Sequence, residues 1–135
     1  FKLIKISVGL RPHIKYKEIK NMSSISSKVR QSVVLTADGQ LQGLVNTSST
    51  STATNLLKVN IMNVFAQSTA ADAEIKIYNE TGSAKTASKL VFHGKFGTAA
   101  NHVHEFKMPG AGIYCNEGAY VDVTNCDFFY VIGTF

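Results

Sequence analysis

Leu57, Val59 and Ile61 alternate with Lys58 and Asn60, and the same two-residue rhythm returns in Glu74-Ile75-Lys76-Ile77-Tyr78. On an extended backbone successive side chains point to opposite faces, so each run can bury one face and wet the other. The first of these runs extends to about Phe65. Similar short segments cover Lys28 to Val34, Leu41 to Val45, Lys89 to Gly94, Asn101 to Met108, Ile113 to Cys115, Ala119 to Val123 and Asp127 to Ile132. They recur roughly every 10–15 residues between clusters of Gly, Asn, Asp and Ser, the spacing of antiparallel all-β domains. Asp38-Gly39 and Pro109-Gly110 mark turns. No stretch holds apolar residues at i, i+3, i+4 and i+7 over three turns. The pattern predicts an all-β chain, an antiparallel β-sandwich or jelly-roll-like fold with little or no helix.

Two runs break the rhythm. The ten residues 46–55 contain no large apolar group, so they predict an exposed loop or a mobile edge. Phe128-Phe129-Tyr130-Val131-Ile132 is apolar on both faces, which predicts a central strand or one covered by a partner.

At 135 residues the chain can bury one core and not two. The organisation read from it is a basic and polar N-terminal arm, 1–29, followed by one β-sandwich domain, 30–135. The net charge of +5 is unevenly placed. Residues 1–21 hold six of the 14 basic residues and one acidic residue, Glu18; the remainder holds eight of each sign and is neutral. A neutral body offers no basic face for phosphates, so no nucleic-acid partner is expected. No run of eighteen apolar residues suggests a membrane span, and Phe1 to Leu10 lacks the cleavage site of a signal peptide. Met22 is the first methionine, and Lys17-Glu18-Ile19-Lys20-Asn21 resembles a translated purine-rich ribosome-binding region. The favoured reading is that residues 1–21 are upstream sequence read as coding. The alternative is a basic arm that orders on a partner.

Chemistry-bearing constellations are sparse. His102 and His104 are two apart and share one face of a strand, a usable geometry for metal ligands. His93 could approach from a neighbouring strand, with Cys115 or Glu105 completing a set. Val103, read as the inward residue, turns both histidines outward, so they read as solvent-facing or interface residues and no metal or other cofactor is expected. Serines gather in loops without a nucleophile elbow, Asp122 and Asp127 form no obvious acid–base pair, and the glycines form no phosphate loop. No catalytic residue is assigned. The chain lacks Trp, and Tyr78, Tyr114 and Tyr120 are the residues that could form an aromatic platform for a sugar. Cys115 and Cys126 lie on consecutive strands; one bridge is possible, and two reduced thiols are the expected state.

Four strand-like motifs then carry a resemblance: Ala73-Glu74-Ile75-Lys76-Ile77-Tyr78-Asn79; Lys89-Leu90-Val91-Phe92; Pro109-Gly110-Ala111-Gly112-Ile113-Tyr114; and Gly118-Ala119-Tyr120-Val121-Asp122-Val123-Thr124. Over roughly residues 30–135 the chain resembles small virion structural proteins of tailed bacteriophages, particularly marine and cyanobacterial ones. The two cysteines and the basic leading segment depart from that pattern. The resemblance implies a non-enzymatic capsid decoration (cement) protein on the virion surface, assembled in the host cytoplasm. It also implies a homo-oligomer, a trimer, seated on the major capsid protein. A tail, neck or fibre component and a carbohydrate-binding adhesion module are the competing readings.

Overall fold

The computed structural model describes residues 28–46, 50–96 and 100–135. The readings of residues 1–21 and of most of the 1–29 arm lie outside them. Eleven strands are present among the described residues: β1 (Val29–Gln31), β2 (Gly39–Gln40), β3 (Gln42–Asn46), β4 (Ser51–Asn55), β5 (Val59–Ser68), β6 (Ala73–Tyr78), β7 (Leu90–Phe96), β8 (His102–Lys107), β9 (Ile113–Cys115), β10 (Tyr120–Thr124) and β11 (Cys126–Thr134). The single helical element among these residues is a 3-10 turn at Ala87–Lys89. The chain is all-β and antiparallel.

One sheet runs β1-β11-β5-β8, with β9 continuing past β8 along the same strand, β5; the second runs β2-β10-β6-β7. If β9 and the separate β3-β4 hairpin are set aside, the other eight strands nest. First pairs with last (β1 with β11), second with seventh (β2 with β10), third with sixth (β5 with β8) and fourth with fifth (β6 with β7). This is one long hairpin, rolled until β11 lies against β5 and β10 against β6.

The roll closes over a single core. Ile75, Ile77 and Val121 from one sheet meet Val64, Ala66, Phe129 and Val131 from the other, all at 0% exposure. Each buried branched side chain contributes about 1.5–3 kcal/mol. At one end Phe106 of β8 packs edge-on against Phe92 and Phe96 of β7, at 5.4 Å each. The run Phe128–Ile132 is central, between β1 and β5, as its apolar faces predict.

Short connections hold the roll at particular residues. Asn125 alone carries the chain from β10 in one sheet to β11 in the other, at φ 52°. Asparagine tolerates this left-handed geometry. Its amide donates to Ala71 O (3.0 Å) and its carbonyl accepts the Thr69 N–H (2.8 Å). The Asp38-Gly39 turn is pinned by Asp38, whose carboxylate accepts the Val123 N–H at 2.9 Å and faces Lys85 Nζ at 3.4 Å. Lys85 also meets Asp122 at 3.3 Å, and this contact first, then Asp38, raises the lysine above its ordinary range.

Of the two alternatives for residues 46–55, Ser51–Asn55 takes the exposed edge, a strand paired to β3, since backbone pairing needs no apolar side chain. One expectation changes. Leu57 does not share the buried face of Val59 and Ile61: β5 starts at Val59, and Leu57 is 67% exposed.

Candidate assembly surface

β3 and β4 pair with each other and with no third strand among the described residues. The base of this hairpin is tied down. Val33 N–H donates to Gln42 O and Leu56 N–H to Leu41 O, at 2.8 and 2.9 Å. Gly43 is packed so closely that a Cβ there would lie 2.9 Å from both Leu56 and Phe135. Beyond the base the hairpin is open. Every residue of β4 is exposed, and the adjacent Leu44 and Val45, which point to opposite faces, are 53% and 51% exposed. Leu44, Val45 and Leu57 rim a shallow groove of about 240 Å³ that is floored by Leu56 and Phe135. Arg30 caps it, its guanidinium 5.4 Å from the Phe135 ring centroid. A two-stranded ribbon is marginal alone in water, and this one leaves both faces wet.

A second apolar surface covers the outer face of the five-stranded sheet. Tyr130 lies opposite Phe65, which lies opposite Glu105 on β8. The Phe65 and Tyr130 rings stack at 5.0 Å and 13°, and Phe128 lies parallel to Tyr130 at 6.4 Å. Rings stacked in this way spend their faces on one another, whereas a sugar platform offers ring faces to the ligand. Of the tyrosines read as that platform, Tyr78 and Tyr120 form a cross-strand pair only 7% and 8% exposed, and Tyr114 alone is open. Tyr78 keeps its regular pairing to Tyr120, and both rings are covered on the face opposite the core residues Ile77 and Val121.

The histidines do not converge. His93 stands on the four-stranded sheet, with Nε2 2.9 Å from Glu74 Oε2, and this bond holds the Glu74 carboxyl below its usual range. His102 and His104 belong to the other sheet, and their face is the inward one rather than the outward one expected, although His102, at the start of β8, is exposed as expected. His104 lies opposite the fully buried Ala66, while Val103 lies opposite Gln67 and is 50% exposed. The alternation of β8 is set by Phe106, which the core takes in. His104 therefore rests on Phe96, ring centroids 4.9 Å apart, and beside His102 at 4.5 Å. Glu105 points outward and Cys115 belongs to β9, so no group of three metal-ligating side chains forms among the described residues.

His104 Nε2 is buried without a hydrogen-bond partner among the described residues. Burial, and secondarily the neighbouring His102, holds its pKa below 6.5. The unfolded chain binds the proton more readily than the folded one, so this contribution is complete above pH 6.5 and lost as pH falls through the folded value. The urea midpoint is expected to fall on acidification below about pH 6.5, and His104→Leu to flatten that part of the profile. An unchanged slope in the variant refutes the assignment.

Cys115 and Cys126 are free thiols. Burial pushes both to about 11, so they are protonated and weakly nucleophilic at neutral pH. Neither sits beside a histidine among the ring and hydrogen-bond contacts described. The open hairpin and the aromatic sheet face are two surface features that the fold among the described residues leaves unspent. Comparison of the chain with family models, with curated proteins and with solved structures finds no match.

Proposed function

We propose that this chain is a non-enzymatic virion structural subunit, a capsid decoration protein that works as a homo-oligomer on the major capsid protein of a tailed phage. The observation that carries the reading is the open β3-β4 hairpin. Leu44, Val45 and Leu57 are apolar surface left open among the described residues, on a ribbon that is marginal without a neighbour. The strand order supports it further. First-to-last nesting of eight strands over two sheets is consistent with a jelly-roll winding, an architecture used by viral capsid domains and also by lectins and cupins. Fold alone does not assign function, so the hairpin and the resemblance described above bear the weight. The stacked geometry of Phe65, Phe128 and Tyr130 favours a protein neighbour over a sugar on the outer sheet face.

A permanent oligomer of this kind buries on the order of 2,000 Å² or more. The test is native mass spectrometry of the purified chain, combined with its quantitation against the major capsid protein in particles. Trimers present at the copy number of the capsid lattice are the expected result. A few copies per particle point to the tail or neck instead, and a soluble monomer absent from particles overturns the proposal.

A further inference from the structure

We infer that residues 79–89 form a strap over the outer face of the four-stranded sheet, latched by Lys85, and that releasing the latch lifts the strap off Tyr78 and Tyr120 without unfolding the sheets. The inference goes beyond the structural-subunit reading and does not depend on it. The strap leaves β6 after Tyr78 and rejoins the sheet at Leu90 of β7, which pairs with Tyr78. Between those points it crosses to the far side of the sheet. Lys85 Nζ reaches Asp122 of β10 and Asp38 beside β2, at 3.3 and 3.4 Å. Gln40 of β2 donates to Glu80 O at 3.2 Å, and a Cβ on Gly118 would lie 3.0 Å from Thr81 Cγ2. Asp122 shares the outer face with Tyr120 and lies opposite Lys76, two positions inside Tyr78. A segment that leaves at Tyr78 and reaches back to Asp122 doubles over the end of the sheet that carries the two rings, which are 7% and 8% exposed.

Hydrogen bonds close the strap on itself. Asn79 N–H donates to Lys89 O and Lys89 N–H to Thr86 O, at 2.8 and 2.9 Å. The buried Glu80 carboxylate accepts the Thr86 N–H at 2.8 Å. A loop with joined ends and internal bonds of this kind moves as one body. What fastens it to the sheet is polar. The eleven residues hold no apolar side chain larger than alanine, and residues 81–88 are all exposed. Lifting the strap exchanges its hydrogen bonds and ion pairs for water and gives up little apolar burial of its own. At the base, Asn79 bonds to Asn116 and Lys89 pairs with Glu117, close to the strand ends, so these contacts act as the hinge. Over the sheet itself, the charged tie among the described residues is Lys85. Its φ of 54° lies in the left-handed region, which a lysine keeps only where its surroundings impose it. The two carboxylates impose it here. Asp38 is itself fixed to the sheet, since its other oxygen accepts the Val123 N–H at 2.9 Å. Freeing the ammonium lets the Lys85 backbone relax, which favours the lifted state.

Tyrosine nitration of the whole chain, mapped by peptide mass spectrometry, reads the strap directly. Tyr114, 58% exposed and on the other sheet, is the internal reference. Lys85→Gln is expected to raise the nitration rate at Tyr78 and Tyr120 about threefold or more relative to Tyr114. Lys85→Arg keeps the charge and is expected to hold both tyrosines near the wild-type rate. Raising NaCl to about 1 M is expected to speed nitration at these two positions in the wild-type chain, and to do so less in Lys85→Gln. The urea midpoint of the same samples separates strap opening from unfolding, and it is expected to stay close to that of the wild type. Unchanged nitration in Lys85→Gln overturns the latch. A rise at the two tyrosines that is matched by a lowered urea midpoint overturns it as well, because the sheets are then what opens. Should Lys85→Gln fail to fold, Asp122→Asn, which keeps Lys85 and Asp38, carries the same expectation. Failure of the latch leaves the structural-subunit reading standing, and absence of the chain from particles leaves the latch standing.

Discussion

Gly133→Ala is expected to lower the unfolding free energy by about 3 kcal/mol or more, beyond the usual range for one added methyl group. A Cβ on Gly133 would lie 2.2 Å from Asn60 O, 3.2 Å from Asn60 C and 3.4 Å from Ile61 Cα. All three atoms are backbone of β5, the strand at the middle of the larger sheet, so no rotamer change relieves the contact. The cause is the register shift between Ile132 and Gly133, which presses β11 towards β5 at that point. Gly39→Ala supplies the control: its nearest neighbours would be 4.0 Å away, and little change is expected. Urea unfolding of the two variants at one protein concentration decides the matter. Equal midpoints refute the close-approach account.

Phe129→Ala is expected to cost about 3–5 kcal/mol. Phe129 is the largest of the side chains that solvent does not reach, and its backbone exchanges hydrogen bonds with Leu35 at 2.9 and 3.0 Å. Removing its ring leaves a void bounded by strands of both sheets, which paired backbones can only partly close. Phe128→Ala, one residue away on the outer face, removes a ring that is only half-buried and is expected to cost roughly 1 kcal/mol in the isolated chain. A ratio near one between the two losses contradicts the assigned inward and outward faces.

The strands were legible where alternation was anchored by large apolar residues on one face only. Val59 with Ile61 and Ile75 with Ile77 are such cases, and all four are in the core. Alternation gives two faces but not which is inside when both carry an apolar or aromatic group. On β8 Val103 competes with Phe106, and the cavity beneath Phe92 and Phe96 decides for Phe106, taking His104 with it. Tyr78 and Tyr120 follow the alternation onto the outer face, yet they are covered there, and burial on that face leaves no mark in the two-residue rhythm. β4 was legible only as an exposed loop or edge, because its side chains bury nothing. The outer stack of Phe65 and Tyr130 joins residues far apart in the chain, and only the pairing register makes them neighbours.

The first-to-last pairing of β1 with β11 also governs how the molecule is made. Ser32 and Val131 bond across 99 positions of chain, so the largest loop must close before the sheet exists. Contacts of such long span slow folding to the millisecond-to-second range. β11 follows the other ten described strands along the chain, yet it lies inside its sheet, not at an edge. Until it arrives, β5 and β1 have no shared neighbour and the apolar faces of both sheets stay open. The larger sheet therefore closes only once β11 is available, and chains cut short before β11 are expected not to close it.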